Sequence, residues 1–270
     1  MGHSTHDRTW ITSFFDSALD WWGESWYDGD NLQERLELVQ LLCGKEKKHI
    51  LELGAGTGET AFFLNKHDYP VTAVDLSKKN TDHIANVAQH LKNLVVINGD
   101  FLEIQLEQKF DIVCLFECFG YGSDNDQRRL LQRIANEWLT DNGCAIIDVY
   151  HPYGPIKNAG RVQKLDRLPD VAGSVDMTVY EEYDSLHGRW INTWVPVENP
   201  ENARTQSIRC YTPSDLLLLL ETTGLAVENI VSNTTAVEWD TSEVRSELPF
   251  SDFENTFSYT VKLIKNIHKL

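Results

Sequence analysis

The chain has 270 residues, of which 41% are hydrophobic and 24% charged, and 41 acidic against 24 basic residues give a net charge of −17. This composition is typical of a globular protein large enough to bury a core without disulfides or a structural metal. The acidic balance argues against a long nucleic acid or an anionic membrane as partner, because clustered cations bind both. A small molecule or another protein is the partner class that remains.

The cysteines and the apolar segments indicate a reducing compartment. The chain has five cysteines, no Cys-x-x-Cys pair, and no apolar stretch near its first methionine that would resemble a secretory signal. The longest apolar run, Leu216 to Leu220, is much shorter than a membrane span. We therefore expect a cytoplasmic protein with reduced thiols, no membrane segment and no metal site.

The first part of the chain is predicted to be helical and is rich in aromatic residues. Apolar side chains recur at helical spacing over residues 8–22, and Asn31 is placed to cap a second helix. The polar turn between these helices carries Trp26 and Tyr27, which lie on no periodic face. We interpret residues 1–47 as an N-terminal helical cap.

Strands and helices alternate regularly after this cap. The predicted strands are residues 50–53, 71–74, 94–97, 110–116 and 144–149. Such alternation is typical of a parallel sheet that helices cover on both faces. We therefore assign residues 48–151 to a doubly wound α/β core.

The alternation stops near His151. Residues 152–175 are predicted to form a long loop, and an alternating apolar pattern then predicts three strands, at residues 177–183, 189–197 and 205–211. We treat residues 152–211 as an inserted β element that is either a lid over a pocket or a dimerisation surface. As a lid it would place six side chains near the pocket: Tyr180, Tyr183, Trp190, Trp194, Arg209 and Tyr211.

The last part of the chain is predicted to return to the core sheet. Thr212, Pro213 and Asp215 are typical of a helix start, with a cap, a proline in the first turn and an acid after it. Two further strands are predicted at residues 226–231 and 257–264. Residues 212–270 would thus complete the sheet, and the chain would be a single domain overall.

The clearest local motif is a glycine-rich turn after the first predicted strand. Glu52 precedes Gly54, Ala55 and Gly56, and glycine there lets the backbone approach a ligand beside the free N–H groups of the next helix. The spacing departs from the dinucleotide fingerprint, since Glu59 holds the third glycine position and would repel a pyrophosphate. The expected ligand is therefore less anionic than NAD.

Carboxylates follow the second and third predicted strands. Asp75 is placed to accept hydrogen bonds from ribose hydroxyls. Asp100 is followed by Phe101, and this pair suits a purine, because the carboxylate can accept from an exocyclic amine while apolar neighbours sandwich the ring. The order of glycine turn, Asp75 and Asp100 therefore predicts a nucleoside site.

Taken together, these residues resemble the class I S-adenosylmethionine (SAM)-dependent methyltransferases. The resemblance covers about residues 48–150, and the segment 211–225 is similar to the small-molecule branch of that family. It implies a Rossmann-like, seven-stranded sheet whose last strand is antiparallel. It also implies SAM as methyl donor, S-adenosylhomocysteine (SAH) as product, and a small-molecule acceptor methylated on nitrogen, oxygen or carbon.

The resemblance further implies roles for individual residues. The glycine turn would cradle the methionine part of SAM, and the turn with Trp26 and Tyr27 would cover it. The implied cofactor-binding residues are Glu52, Gly54, Ala55, Gly56, Asp75, Leu76, Asp100, Phe101, Phe116, Trp26 and Tyr27.

The predicted catalytic residues follow from the chemistry of methyl transfer. In-line displacement from a sulfonium depends mainly on positioning, and a base matters only where the nucleophile must lose a proton. Open α/β sheets bind ligands at the C-terminal ends of their strands. The ends of the fourth and fifth strands carry Glu117, Tyr150 and His151. We predict His151 as base, with Tyr150 and Glu117 as groups that orient the acceptor.

Other functions stay open from the sequence alone. An NAD-dependent oxidoreductase would share the strand–turn–helix motif, although Glu59 and the Asp100–Phe101 pair argue against it. A non-catalytic SAM-fold binding or assembly protein would carry the same residues without turnover. The acidic chain could also accept a basic peptide, and the inserted strands could form a homodimer.

Overall fold

The computed structural model describes residues 8–22, 29–168, 173–232, 235–238 and 257–266. Helices α1 (Thr9–Trp22) and α2 (Gly29–Cys43) precede the core. The core then runs through β1 (Ile50–Leu53), α3 (Glu59–Lys66), β2 (Val71–Asp75), α4 (Lys78–Val87), β3 (Leu94–Asn98), β4 (Phe110–Leu115), α5 (Asp124–Arg133) and β5 (Leu139–Tyr150). The predicted alternation of strands and helices is thereby confirmed.

The second half of the chain contains more regular structure than predicted. It runs through α6 (Tyr153–Asn158), β6 (Val162–Leu165), β7 (Met177–Asp184), β8 (Arg189–Pro196), β9 (Arg204–Arg209), α7 (Pro213–Leu220), β10 (Leu225–Ser232), β11 (Thr235–Glu238) and β12 (Ser258–Lys265). The prediction of a loop over residues 152–175 is wrong, because α6 and β6 lie within it. Both elements are too short to show a clear periodic pattern of apolar residues.

The main sheet has the strand order β11-β10-β12-β5-β4-β1-β2-β3. The neighbours from β5 to β3 pair in parallel, and β12 runs antiparallel to both β5 and β10. The expected seven-stranded sheet with an antiparallel last strand is confirmed, and β11 adds an eighth strand at the edge. All residues of β1 and β2 are buried, as expected for central strands covered by helices on both faces.

Side-chain caps fix where the helices begin. At the start of α7, Thr212 Oγ1 accepts a hydrogen bond from the Asp215 N–H (3.2 Å), and Asp215 Oδ2 accepts one from the Thr212 N–H (3.0 Å). This capping box confirms the predicted helix start. Ser77 caps α4 with its hydroxyl oxygen, which accepts from the N–H of Asn80 (3.2 Å).

A second, antiparallel sheet has the order β6-β7-β8-β9. It packs against α1 through a small apolar cluster of Phe14, Trp21 and Met177. It also contacts the core, because the N–H of Arg209 donates to the Gly120 carbonyl (2.9 Å). Helix α1 and this sheet together border the C-terminal ends of the core strands. Within the described part of the chain, no helix is long and apolar enough to cross a membrane.

Candidate active site

Two adjoining cavities lie at the C-terminal ends of β1, β2 and β4. The larger has a volume of about 250 Å³ and reaches from the glycine turn to the second sheet. The smaller, of about 100 Å³, extends along β2 and the residues after β3. Six residues line both cavities: Phe15, Gly54, Gly56, Phe116, Glu117 and Tyr121. The two cavities can therefore hold different parts of one ligand.

The glycine turn, residues 54–58, is held against β2 and β4. The N–H groups of Gly54 and Ala55 donate to the Val74 carbonyl at 2.8 and 3.0 Å. Gly54 has φ of +72°, and an added Cβ there would lie 2.8 Å from Cys118 Sγ. Only glycine fits this position without a clash and without backbone strain. Cys118 itself donates to the Leu53 carbonyl, which makes it a packing residue.

Asp75 fastens the glycine turn to the start of α4. Its carboxylate accepts from the N–H of Gly56 (2.8 Å), the N–H of Ser77 (2.8 Å) and the amide of Asn80 (3.3 Å). Burial raises the pKa of Asp75 to about 6, while the hydrogen bonds from Ser77 and Gly56 oppose that rise. A carboxylate accepts about four hydrogen bonds, so Asp75 keeps room for about one ribose hydroxyl rather than two.

Glu52 is a buried carboxyl that faces the larger cavity. It is 3% exposed, and its Oε2 has no hydrogen-bond partner among the described residues. Burial raises the pKa of Glu52 to about 8; Arg35 opposes this effect, and the neighbouring Glu59 and Asp75 add to it. Glu52 is therefore largely protonated at neutral pH, and a cationic ligand group would stabilise its ionised form.

Asp100 and Phe101 line the smaller cavity beside Leu76. Arg8 Nη2, at the start of α1, donates to both carboxylate oxygens of Asp100 at 2.8 and 2.9 Å. The N–H of Leu102 donates to the same carboxylate (2.8 Å). The predicted adenine acceptor is thus covered by an arginine from the N-terminal cap, a contact that was not predicted.

Arg35 of α2 is a site residue that was not predicted from the sequence. Its guanidinium donates to Thr60 Oγ1 (2.5 Å) and Glu117 Oε2 (2.9 Å), and its Cζ lies 5.0 Å from the Phe116 ring centroid. It lies three residues after Leu32 and four before Val39, and therefore on the apolar face of the helix. A charged residue on an otherwise apolar helix face is the sequence pattern that could have indicated Arg35 as a site residue.

Glu117 follows β4 and has a strained backbone. Its φ of +55° is in the left-handed region, which non-glycine residues seldom adopt and which is often associated with functional sites. The hydroxyls of Tyr121 and Tyr150 each lie 3.4 Å from its carbonyl oxygen. The structure thus brings two of the predicted catalytic residues, Glu117 and Tyr150, to the larger cavity.

Asp148 near the end of β5 is a second residue that was not predicted. It accepts a hydrogen bond from Thr260 Oγ1 (2.6 Å). Burial raises its pKa to about 6; a hydrogen bond from Thr260 and the charge of Arg35 oppose this rise, whereas the charge of Glu117 adds to it. The Glu117 backbone also hydrogen-bonds to this carboxylate, so Asp148 helps to hold the conformation of Glu117.

His151 lies outside both cavities. It is 4% exposed, its ring packs against Tyr153 and Tyr259, and its Nδ1 accepts from the Tyr153 N–H (3.3 Å). Burial lowers the pKa of His151, whereas Asp215 opposes that shift. The structure does not bring His151 together with Glu117 and Tyr150 on the cavity wall, so its role as base stays a prediction.

The second sheet supplies aromatic and amide side chains to the larger cavity, namely Trp190, Trp194 and Gln206. The other residues expected there lie elsewhere. Tyr180 is 44% exposed. Tyr183 is not a lining residue of either cavity, and Tyr211 is buried with its hydroxyl on Asp124 (2.7 Å). Arg209 contacts the same aspartate (3.2 Å).

Most predicted cofactor residues line the two cavities. In the larger cavity these are Glu52, Gly54, Ala55, Gly56 and Phe116, and in the smaller one Asp75, Leu76, Asp100 and Phe101. Trp26 and Tyr27 lie outside the described residues. The polar strand ends predicted from the sequence therefore converge on one continuous site.

Comparisons with known proteins agree with this arrangement. Residues 50–143 match the family model described as a methyltransferase domain. An uncharacterized methyltransferase of Staphylococcus carnosus is 29% identical over 111 residues, which are 41% of this chain and 51% of that protein. The chain thus spans about half the length of the curated relatives that it matches.

Solved structures share the fold over nearly the whole chain. The CcbJ methyltransferase of Streptomyces caelestis matches with a TM-score of 0.72 and 18% identity, covering 96% of this chain and 99% of its own. The glycopeptide N-methyltransferase MtfA, solved with SAM, matches with a TM-score of 0.57 and 16% identity, covering 89% of this chain and 95% of its own. Residues 50–143 therefore form a methyltransferase domain, and the chain as a whole has the fold of the class I SAM-dependent methyltransferases.

Proposed function

We propose that the protein is a SAM-dependent methyltransferase that acts on a small molecule in the cytoplasm. The observation that carries this proposal is the convergence of Glu52, the glycine turn, Asp75 and Asp100 on one pair of adjoining cavities. The five cysteines are free thiols, which supports a reducing compartment.

The residues on the cavity walls fit the chemical groups of SAM. Glu52 has a buried oxygen without a partner among the described residues and would take the methionine ammonium. Arg35 would hold the methionine carboxylate, and Asp75 would accept a ribose hydroxyl. Asp100 and Phe101 would bind the adenine, with the carboxylate on the exocyclic amine and the ring against apolar side chains.

The acceptor is proposed to bind at the opposite end of the larger cavity, beneath α1 and the second sheet. Trp190 and Trp194 line that end, which favours a lid over a dimer surface as the role of the inserted strands. SAM supplies a methyl group already activated on a sulfonium. The protein then contributes mainly by positioning, with Glu117 and Tyr150 orienting the acceptor and water kept out by the aromatic wall.

Binding of SAH to the purified protein tests the proposed function. Calorimetry is expected to show one SAH site per chain. Asp75→Ala removes the proposed acceptor of the ribose hydroxyl and releases the Gly56 and Ser77 N–H groups that hold the turn, and should weaken SAH binding about 100-fold, since a hydrogen bond to a charged group contributes about 1.5–3 kcal/mol. Asp82→Ala, at an exposed acid of the neighbouring helix α4, is the matched control and should bind SAH like the wild type. No binding at millimolar SAH would contradict the proposal.

A further inference from the structure

The acceptor end of the larger cavity has a composition that points to one class of acceptor. We propose, on the basis of the function proposed above, that the methyl group is transferred to an amine nitrogen. The amine enters as an ammonium between aromatic walls, and Glu117 and Gln206 bind it. Gln206 lines the larger cavity only, and Glu117 lies where the two cavities join, so that it can face both cofactor and acceptor.

Aromatic side chains form most of this end of the cavity: Phe14, Tyr121, Tyr150, Trp190 and Trp194. The indole N–H of Trp190 donates to Glu181 (2.5 Å) and that of Trp194 to Asn192 (3.0 Å). Because both indole donors are used by neighbours, these two residues offer mainly ring surface to a ligand. Tyr150 and Trp190 lie with ring centroids 5.4 Å apart and planes at 60°, so they form a continuous wall. Aromatic faces attract cations.

Gln206 is the amide that faces this aromatic wall. It is 9% exposed, lines the larger cavity, and its side chain has no hydrogen-bond partner within the described ranges. The Gln206 amide is open to the cavity, since it is not among the buried polar atoms without a partner, and a ligand that hydrogen-bonds to it would take the place of water there. Gln206 Oε1 can accept a hydrogen bond from the N–H of an ammonium.

The charges on the cavity wall favour a cationic acceptor over an anionic one. Among the described lining residues of the larger cavity, Arg35 carries the positive charge, whereas Glu52 and Glu117 carry carboxyls. Arg35 already donates to Glu117 and Thr60 and, in the proposed function, also holds the cofactor carboxylate, so it is not available to a second anion. An acceptor with a carboxylate or phosphate would bring negative charge beside Glu117 with no further cation among the described lining residues, whereas an ammonium would be attracted there.

Each methyl transfer to the bound amine releases one proton. The bound ammonium first gives one proton to the Glu117 carboxylate, which leaves a neutral amine with a lone pair. That lone pair forms a nitrogen–carbon bond to the methyl group while the carbon–sulfur bond breaks and its electron pair stays on sulfur, giving SAH. The product leaves as the methylated ammonium, and Glu117 returns its proton to solvent, so that one proton is released overall.

A matched pair of probes tests the acceptor class. Benzylamine and benzyl alcohol share their ring and differ in the head group. Each is titrated calorimetrically into protein saturated with SAH. Benzylamine is expected to bind about tenfold more tightly than benzyl alcohol, because it gains cation–π and charge-assisted contacts. Glu117→Gln and Gln206→Leu should each reduce this preference severalfold, while Glu37→Gln, an exposed residue of α2, should retain it.

The outcomes separate this proposal from the proposed function. If SAH does not bind, the methyltransferase function fails and the acceptor class fails with it. If SAH binds but benzylamine does not, or binds no better than benzyl alcohol, the amine proposal alone is overturned. Survival of the full preference in both Glu117→Gln and Gln206→Leu would also overturn it. The circular dichroism spectrum and melting temperature of each variant check that it is folded, and the two probes are compared at saturating SAH.

Discussion

The two ends of the larger cavity are built in different ways. At the glycine-turn end, Glu52 and Gly54 lie within three residues of each other, and local hydrogen bonds fix the turn that joins them to Asp75. At the other end, Phe14 and Trp194 come from segments about 180 residues apart in sequence and meet only because α1 packs on the second sheet. The difference teaches that a short motif can define a cofactor subsite, whereas an acceptor subsite depends on how distant elements pack.

This difference extends to the chemistry of the two ends. The glycine-turn end holds buried acids, and burial raises the pKa of Glu52 to about 8 and that of Asp75 to about 6. The end beside the second sheet holds indole, phenyl and phenol rings with one amide. Changes at the first end should therefore alter SAH binding, and changes at the second should not. The predictions below test that separation, from the largest effect to the smallest.

Gly54→Ala should have the largest effect. The added Cβ would lie 2.8 Å from Cys118 Sγ, and φ is +72°. We expect SAH affinity to fall about 10–100-fold and stability to fall by about 1–3 kcal/mol, measured by calorimetry and chemical denaturation. Gly160→Ala is the control, since its φ is +84° but an added Cβ would meet nothing within 4 Å. If both variants bind SAH like the wild type, the turn does not contact the ligand.

The pH dependence of SAH binding should reveal the ionisation of Glu52. Below its pKa of about 8, Glu52 must lose a proton before it can pair with the ligand ammonium. SAH affinity should therefore fall about tenfold for each pH unit below that pKa, until Asp75 also titrates near 6. In Glu52→Gln, affinity should be lower at alkaline pH and should not change across this window. A wild-type affinity that does not vary with pH would contradict the role of Glu52.

Titration of Glu52 should also make the stability of the folded protein depend on pH, but stability should fall as pH rises, whereas SAH affinity should increase. The folded protein keeps a proton on Glu52 between the ordinary pKa of 4.5 and the raised value of about 8, and the unfolded chain does not. The free energy of unfolding therefore decreases as pH rises from 4.5 to about 8. Glu52→Gln should raise Tm at alkaline pH, by about 2–4 °C for each kcal/mol recovered. A Tm that is lower in the variant at every pH would contradict this account.

Arg8→Ala should have a small effect. Arg8 Nη2 donates to both oxygens of Asp100, and side chains of this pair are 23% and 24% exposed. Because a partly exposed ion pair contributes little, its removal should free the carboxylate for adenine and tighten SAH binding about two- to threefold. Calorimetry with SAH measures the change. A large loss of affinity would show instead that Arg8 itself holds the adenine.

Trp194→Leu should have the smallest effect on SAH. Trp194 lines the larger cavity at the end beside the second sheet, and it does not line the smaller cavity. We expect SAH affinity to stay within about twofold of the wild type, since the residue contacts the proposed acceptor space only. The binding of benzylamine to the SAH complex should weaken in the same variant. If Trp194→Leu stays folded but loses SAH binding, the two ends of the larger cavity do not bind cofactor and acceptor separately.

The sequence was sufficient to predict the core sheet, and it named many of the residues that line the two cavities. The parallel strands are short and largely apolar, and the caps at Ser77 and Thr212 are local patterns, so both could be recognised within a few residues. The loop predicted over residues 152–175 was wrong, because α6 and β6 are too short for a periodic signal. Tertiary packing, which leaves no local pattern, decides that region.

The remaining site residues could not be predicted for a similar reason. Arg35 lies on α2 and reaches Glu117 only because α2 packs beside the glycine turn. His151 follows a strand end directly, yet its ring packs against Tyr153 and Tyr259 instead of lining the cavity. Strand ends predict which residues are near a site, but the rotation of each side chain depends on neighbours from distant parts of the chain.

A crystal structure of the protein with SAH tests the central claim most directly. The account predicts the adenine beside Asp100 and Phe101, the ribose at Asp75, and the amino group of SAH within hydrogen-bonding distance of Glu52. It also predicts that the ligand sulfur points toward the aromatic end near Tyr150. Adenine bound among the indoles of the second sheet, or SAH bound away from both cavities, would contradict the account.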